Sequence, residues 1–335
     1  MLRNNDLGDL LVITPLFAAL RQRFPEAKII AGVGSWALPI LAHNPHLSGT
    51  LTVNAPWFNK GVQPQGWRDR WHYLQHSEAV AQIAAQQFDI GIDVLGSNWG
   101  ALLLLRAGIP YRLGVRGFAG GAAAMQQCIR FDPQQRVSRA VLGFAELLGA
   151  TELPDPRPQL FLTPDERRAG EQIWTGRGQR VAIAPGSGRE PRYWGEANWQ
   201  QLVARLAATR SDLDVVLLGG PQDADFGAQL AGLGTNIRNF AGRLSLRQTF
   251  SLLATAELVM TNSSMALHAA AAFSTPALAL LGSGFVSQQQ HDAQWGYDQA
   301  YLSLGQEWGE RDRPYTPDEA IASLQRQQWL TTAAQ

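Results

Sequence analysis

Short apolar runs alternate along the chain with small polar turns and with longer segments of helical spacing. In residues 259–284, VMTNSSMALHAAAAFSTPALALLGSG, a strand-like run ends in Thr261-Asn262-Ser263-Ser264. An Ala-rich segment carrying His268 follows, then a second apolar run over 277–281, closed by Gly282-Ser283-Gly284. Strand, turn, helix and strand predict a βαβ unit. Ligands gather at the carboxyl ends of strands in open α/β sheets, so the two turns are expected to share a crevice. The helix that starts there offers unpaired N–H groups and a positive dipole end to an anion.

The same alternation predicts strands over 180–184 and 213–218, ending in Pro185-Gly186-Ser187-Gly188 and Gly219-Gly220-Pro221-Gln222-Asp223. Helices are expected over 199–208 and after Ser245-Leu246-Arg247-Gln248. Two capping boxes with proline at the first helical position, Thr163-Pro164-Asp165-Glu166 and Thr316-Pro317-Asp318-Glu319, start two more, the last over 320–329. In the first half, strands fit 28–33, 50–53, 88–95 and 111–115, and helices 38–43, 77–87, 99–107 and 137–148. Leu10, Leu11, Ile13, Leu16, Phe17 and Leu20 predict one helix over 10–24, entered through Asp6-Leu7-Gly8-Asp9. Residues 1–3 are short for the opening strand of such a sheet: either the strand is very short or the true start lies upstream. Residues 54–71 read as an irregular loop and 116–121 as a glycine-rich one. Leu153-Pro154-Asp155-Pro156-Arg157-Pro158 can continue neither a helix nor a central strand, and marks a domain boundary. The expected architecture is α/β, two facing Rossmann-like domains (1–155 and 159–310) with a central cleft. Residues 311–335 are expected to form a closing helix packed back towards the first domain.

The length of 335 residues suits two domains. Lys+Arg and Asp+Glu are equal at 28, so no global field favours nucleic acid, and none is expected as a partner. The single cysteine, Cys128, excludes an internal disulfide and a cysteine metal cluster. No apolar run reaches the roughly 18 residues of a membrane-spanning helix, and the first residues form no signal peptide, so a cytoplasmic protein is expected.

Recognised catalytic motifs are missing. His43, His46, His72, His76, His268 and His291 form no metal-ligand spacing with a carboxylate, and no metal is expected. Without a Gly-x-Ser-x-Gly elbow, a Walker loop or a full Gly-x-Gly-x-x-Gly, hydrolase, ATPase and dehydrogenase readings are disfavoured. What remains is a distributed site of three small-residue turns after strands, where backbone N–H groups could approach phosphate. Arg189 or Arg192 could neutralise its charge, though Arg192 reads equally as a surface arginine. Asp9 reads locally as a helix cap and alternatively as a general base, with Asp6 a competitor. His268 reads as a core histidine or a phosphate donor. Trp57, Lys60, Trp67, Arg68, Arg70 and Trp71 mark residues 54–71 as a solvated loop with aromatic anchors, or as a surface for an acceptor or membrane.

Several stretches together are specific. They are Arg3…Gly8-Asp9…Thr14-Pro15…Pro25; Phe88-Asp89…Asp93-Val94-Leu95-Gly96; Ala184-Pro185-Gly186-Ser187 with Arg192-Tyr193-Trp194; Leu218-Gly219-Gly220-Pro221-Gln222-Asp223; and Asn262…His268-Ala269-Ala270-Ala271. Nearly end to end, the chain resembles the bacterial ADP-heptose–lipopolysaccharide heptosyltransferases, glycosyltransferase family 9, of GT-B fold. The resemblance implies an inverting, metal-independent transfer from a nucleotide-sugar, ADP-heptose, to a lipopolysaccharide-core or other cell-surface glycan, with no cofactor. The first domain would bind the acceptor and the second the donor. Asp9 matches the family's catalytic base. Ser187, Gly188 and Arg192 match its diphosphate loop, Gln222 and Asp223 its ribose side, and Asn262, Ser263, Ser264 and His268 its nucleotide-sugar motif. Gly8, Lys60, Arg68 and Arg116 are the expected contacts to an anionic glycolipid acceptor, with the protein a monomer touching the inner membrane peripherally from its cytoplasmic face.

The chain departs from the family at Ser263 and Met265, where the pattern has an acidic residue and a glycine. That departure keeps two alternatives in view: a different nucleotide-sugar donor, or a non-catalytic nucleotide-sugar or glycan-binding module. An epimerase on the same fold ranks last, since no paired acid and base suggest it. The start also looks clipped beside the family, whose members carry apolar residues before the arginine.

Overall fold

In a computed structural model describing residues 1–176, 178–186, 193–282, 285, 287–306 and 315–330, the chain forms two compact units, Met1–Phe161 and Leu162–Gln335. The first is assembled around Leu2. Strands β1 (Ile30–Val33) and β2 (Gly49–Thr52) pair in parallel. Strands β3 (Ile90–Ile92), β4 (Tyr111–Arg116) and β5 (Gln127–Arg130) form a second parallel set. Leu2 bridges them: its N–H donates to Ile92 O at 2.7 Å, while the Arg3 N–H donates to Gly32 O at 2.9 Å. Residues 1–3 thus fill the place of a central strand with very few residues, because both neighbours are themselves short.

The single helix expected over 10–24 is two, Leu7–Val12 and Pro15–Arg23. Pro15 has no N–H to continue the first helix and instead opens the second. The Thr14 hydroxyl donates to Leu11 O at 2.7 Å and accepts the Gln159 N–H at 2.7 Å, tying the break to the end of the unit. The loop expected over 54–71 is also corrected. Helix Trp67–His76 starts inside it, and Trp57 is fully buried, edge-on to Tyr73 and stacked on Trp99. Trp67 and Trp71, by contrast, stay exposed.

The second unit holds β6 (Arg180–Ala184), β7 (Asp214–Leu217), β8 (Ile237–Asn239), β9 (Leu258–Thr261), β10 (Ala277–Leu280) and β11 (Tyr301–Leu304). They form one parallel sheet in the order β11-β10-β9-β6-β7-β8. β7, β9 and β10 are buried along their whole length, as strands covered on both faces must be. The three capping sequences start helices as expected, at Thr163, Ser245 and Thr316.

The closing helix is Pro317–Arg326. Ala320 and Leu324 are fully buried in the second unit's own core with Trp199, Leu202 and Leu206 of helix Glu196–Thr209.

These contacts separate buried from exposed tryptophans. Trp57→Ala is expected to lower the stability of the first unit by about 3–5 kcal/mol, as large-to-small core changes do. Trp67→Ala should stay within about 0.5 kcal/mol of the parent, in keeping with its exposure. Urea unfolding followed by circular dichroism checks both; equal effects would contradict the packing.

Candidate functional site

The chain order β6, β7, β8 runs outward from the middle of the second sheet, then returns to place β9 on the other side of β6. Such a reversal leaves a crevice outside the carboxyl ends of the two central strands. There β6 leads into Pro185 and Gly186, and β9 into Asn262, Ser263 and Ser264. The Thr261 hydroxyl donates to Ala184 O at 3.1 Å and lies 2.9 Å from Ser264 Oγ. Ser264 caps helix Met265–Phe273 through the Ala266 N–H at 3.3 Å, so the positive end of that helix opens at the strand ends.

Asn262 is fully buried and works as a tie. Its Nδ2 donates to Pro185 O, and its Oδ1 accepts the Trp194 N–H at 3.1 Å. Its side chain therefore anchors the segments either side of residues 187–192. Asp223 is a second tie: it accepts the Gly220 N–H at 2.7 Å and Gln222 Nε2 at 3.1 Å. A Cβ on Gly186 or Gly219 would come within 2.6 Å or 2.7 Å of the Asp223 side chain, so these glycines permit the approach of the β6 and β7 loops. Burial, with the charges of Glu196 and Asp223, pushes the Tyr193 phenol up to about 12 and keeps it protonated.

His268 is buried in the helix after Ser264, its Nδ1 2.6 Å from the Tyr297 hydroxyl. Ser263, also buried, has its Oγ 2.9 Å from Nε2 of His291, a residue the sequence offered no role. Helix Gln288–Trp295 buries only that histidine, so it lacks the apolar stripe that would have marked it. Ser187, Gly188 and Arg192 lie outside the described residues.

In the first unit Asp9 is the third residue of helix Leu7–Val12, not its cap. The cap position belongs to Asp6, whose Oδ1 accepts the Lys60 N–H at 3.1 Å. Asp9 Oδ1 lies 3.4 Å from a guanidinium nitrogen of Arg3, which is only 7% exposed. A third charged group lies deeper. Asp93, at the end of β3, accepts the Ser97 N–H at 2.8 Å and is wholly enclosed. Burial raises its pKa from 3.8 to about 6, against the bonds from Ser97 and Leu95 and the charge of Arg3.

Gly8 neighbours Asp9 in the same helical turn, and the Lys60 backbone reaches that helix through Asp6. Arg68, over the Trp67 ring at 5.4 Å, and Arg116, at the end of β4, are exposed at the unit's surface. Among the described residues no group of three or more His, Cys, Asp or Glu could hold a metal ion, and no helix is long and apolar enough to cross a membrane.

The sequence pattern of glycosyltransferase family 9 (heptosyltransferase) matches residues 78–316, well over half of the chain. The chain belongs to that family. It is 26% identical over 291 residues to lipopolysaccharide heptosyltransferase 2 of Escherichia coli K12, covering 82% of this chain and 80% of the relative. The solved ADP-heptose heptosyltransferase II of E. coli superimposes with a TM-score of 0.75 at 21% identity, over 98% of both chains. The E. coli heptosyltransferase WaaC with ADP does so with a TM-score of 0.72 at 16% identity, over 98% of this chain and 96% of that one. This family 9 chain is a glycosyltransferase of GT-B fold, as its resemblance implied.

Asp93 gives the family 9 chain a measurable pH signature. The folded state holds this proton more tightly than the unfolded state, so the associated stability is complete below about pH 4 and is lost as the pH rises through about 6. Asp93→Asn keeps an oxygen for Ser97 and cannot ionise. Relative to the parent it should gain about 3 kcal/mol between pH 4 and pH 7, the equivalent of the shift of roughly two pKa units. Urea midpoints at both pH values test this; a constant difference would mean that Asp93 does not titrate as described.

Proposed function

We propose that this glycosyltransferase moves a heptose from ADP-heptose to a lipopolysaccharide-core or related anionic glycan, with inversion and without a metal. The family match over residues 78–316 carries the reaction class, and a relative solved with ADP supports the nucleotide. The Asp9–Arg3 pair supports the choice of base. Asp9 takes the proton from the acceptor hydroxyl as that oxygen bonds to the anomeric carbon. The bond from that carbon to the diphosphate breaks and the electron pair leaves with ADP. Arg3 orients the carboxylate, as general-base catalysis requires.

On the donor side, the amino end of helix Met265–Phe273 suits a diphosphate, with Ser264, His268, Ser187, Gly188 and Arg192 as further contacts and Ser263 facing a hydroxyl or N–H of the nucleotide-sugar. Gln222 and Asp223 take the ribose side, and Asn262 and Asp223 also fix the loops. On the acceptor side, Gly8, Lys60, Arg68 and Arg116 meet an anionic glycolipid. The exposed Trp67 and Arg68 suit peripheral contact of a monomer with the cytoplasmic face of the inner membrane.

Asp9→Ala is expected to lower transfer from ADP-heptose by about 10²–10⁴-fold, the usual weight of a general base. Calorimetric binding of the donor should be nearly unchanged. A variant that keeps most of its transfer removes Asp9 as the base, while absence of turnover by the parent on any glycan acceptor favours a binding module.

For the acceptor surface, replacing Lys60 and Arg68 by Gln should weaken sedimentation with vesicles containing anionic lipid, by about 1 kcal/mol per charge near the surface. Unchanged sedimentation would exclude this patch.

A further inference from the structure

Ser263, His291 and Asp292 form a connected chain of polar groups in the second unit, and its chemistry fixes which way each hydrogen bond runs. Asp292 Oδ1 lies 2.9 Å from His291 Nδ1 and accepts the hydroxyls of Tyr301 at 2.5 Å and Ser303 at 2.7 Å. Its Oδ2 takes Ser303 again at 2.8 Å. Burial works against the charge on this carboxyl, but the bonds from His291, Tyr301 and Ser303 prevail and hold it below its usual value. The Tyr301 hydroxyl, 3.1 Å from Nδ1, gives its proton to Asp292 in the shorter of its two contacts. An ionised carboxylate only accepts, so His291 carries its proton on Nδ1. In the neutral ring Nε2 is then an acceptor, and the group 2.9 Å away that can donate to it is the Ser263 hydroxyl.

We propose that His291 and Asp292 are positioning residues for the strand-end site, and that they convert Ser263 into an acceptor-only oxygen. With its proton committed to His291, Ser263 Oγ presents lone pairs at the end of β9, as a carboxylate would, and receives a hydroxyl or amide N–H of the bound ligand. Two features favour this over simple fastening of the helix. The run of groups ends on a residue at the switch point of the sheet, one position before the cap of helix Met265–Phe273. The intermediary is also a histidine with no exposed surface, whose Nδ1 faces Asp292 and the Tyr301 hydroxyl and whose Nε2 faces Ser263. An apolar side chain would fasten the helix equally well without the cost of burying polar atoms.

The inference rests on reading this edge as the nucleotide-sugar site, and the test separates the two. In ¹⁵N-histidine spectra His291 should be the Nδ1–H tautomer in the parent and should change in Asp292→Asn, whose amide can donate to Nδ1. Ser263→Ala should raise the KM for ADP-heptose about tenfold, the effect of one ligand hydrogen bond, with most of the loss in KM rather than kcat. Asp292→Asn should do the same, and the double variant should be no worse than either alone, because the three residues act as one unit. Additive losses, or an Nε2–H tautomer in the parent, overturn the proposal. Should Asp292→Asn fail to fold, Ser263→Ala and the parent tautomer decide the matter. Equal ADP-heptose binding by the parent and Ser263→Ala overturns the inference and leaves the donor-site reading standing. A parent that binds no nucleotide-sugar overturns both.

Discussion

The pairing of Ala184 with Thr261 is the contact on which the second unit's strand-end chemistry depends. It joins β6 to a strand that the chain reaches only after building the other side of the sheet. The loops after both strands must then leave from the same edge. Thr261 and Asn262 add side-chain bonds to Ala184 and Pro185 across that seam. In a parallel sheet a slip of one residue would turn every side chain to the opposite face. Here it would also separate Asn262 from both segments it ties.

Close backbone approach at this edge is bought with small residues. Gly186 and Gly219 flank the Asp223 carboxylate, and a Cβ on Gly282 would lie 2.3 Å from Tyr193 O. Both contacts leave no room for any side chain. The same geometry gives Asn262 a mainly architectural part, its amide spent on backbone partners, and lets Asp223 shape its own loop through the Gly220 N–H and Gln222 Nε2. Motif reading assigns such residues to the ligand because it sees their identity and not where their hydrogen bonds go.

Much of the second unit was legible in the sequence. β9, the helix after it and β10 could be read because a buried parallel strand is continuously apolar and the intervening turn is small and polar. The capping boxes could be read because both partners lie within four residues. β5 and β8 were missed: they sit at sheet edges, and Gln-Cys-Ile-Arg and Ile-Arg-Asn carry too little apolar pattern to stand out. Helix Gln288–Trp295 was missed because its one buried side chain is a histidine. Trp57 was misplaced with Trp67 and Trp71 since composition alone cannot distinguish an aromatic anchor from a core residue. The links Arg3–Asp9 and Ser263–His291 depend on folding, the second joining residues 28 apart in the chain.

Both units set a charged side chain behind a polar group of the candidate site through a buried intermediary. In the first, Arg3 stands beside Asp9 and its charge also acts on the enclosed Asp93. In the second, His291 stands between Ser263 and Asp292. Leaving the enclosed Asp93 without the charge of Arg3 would cost several kcal/mol, so Arg3 cannot swing away without penalty. Arg3 and His291 are also buried, which denies them water as an alternative partner. The outer groups are therefore oriented by the fold before any ligand arrives. Dipoles fixed in advance need no reorganisation when charge moves during a reaction, and that is where most electrostatic catalysis originates. Buried polar groups that would weaken an ordinary core are thus tolerable here, because they hold an orientation that apolar packing could not specify.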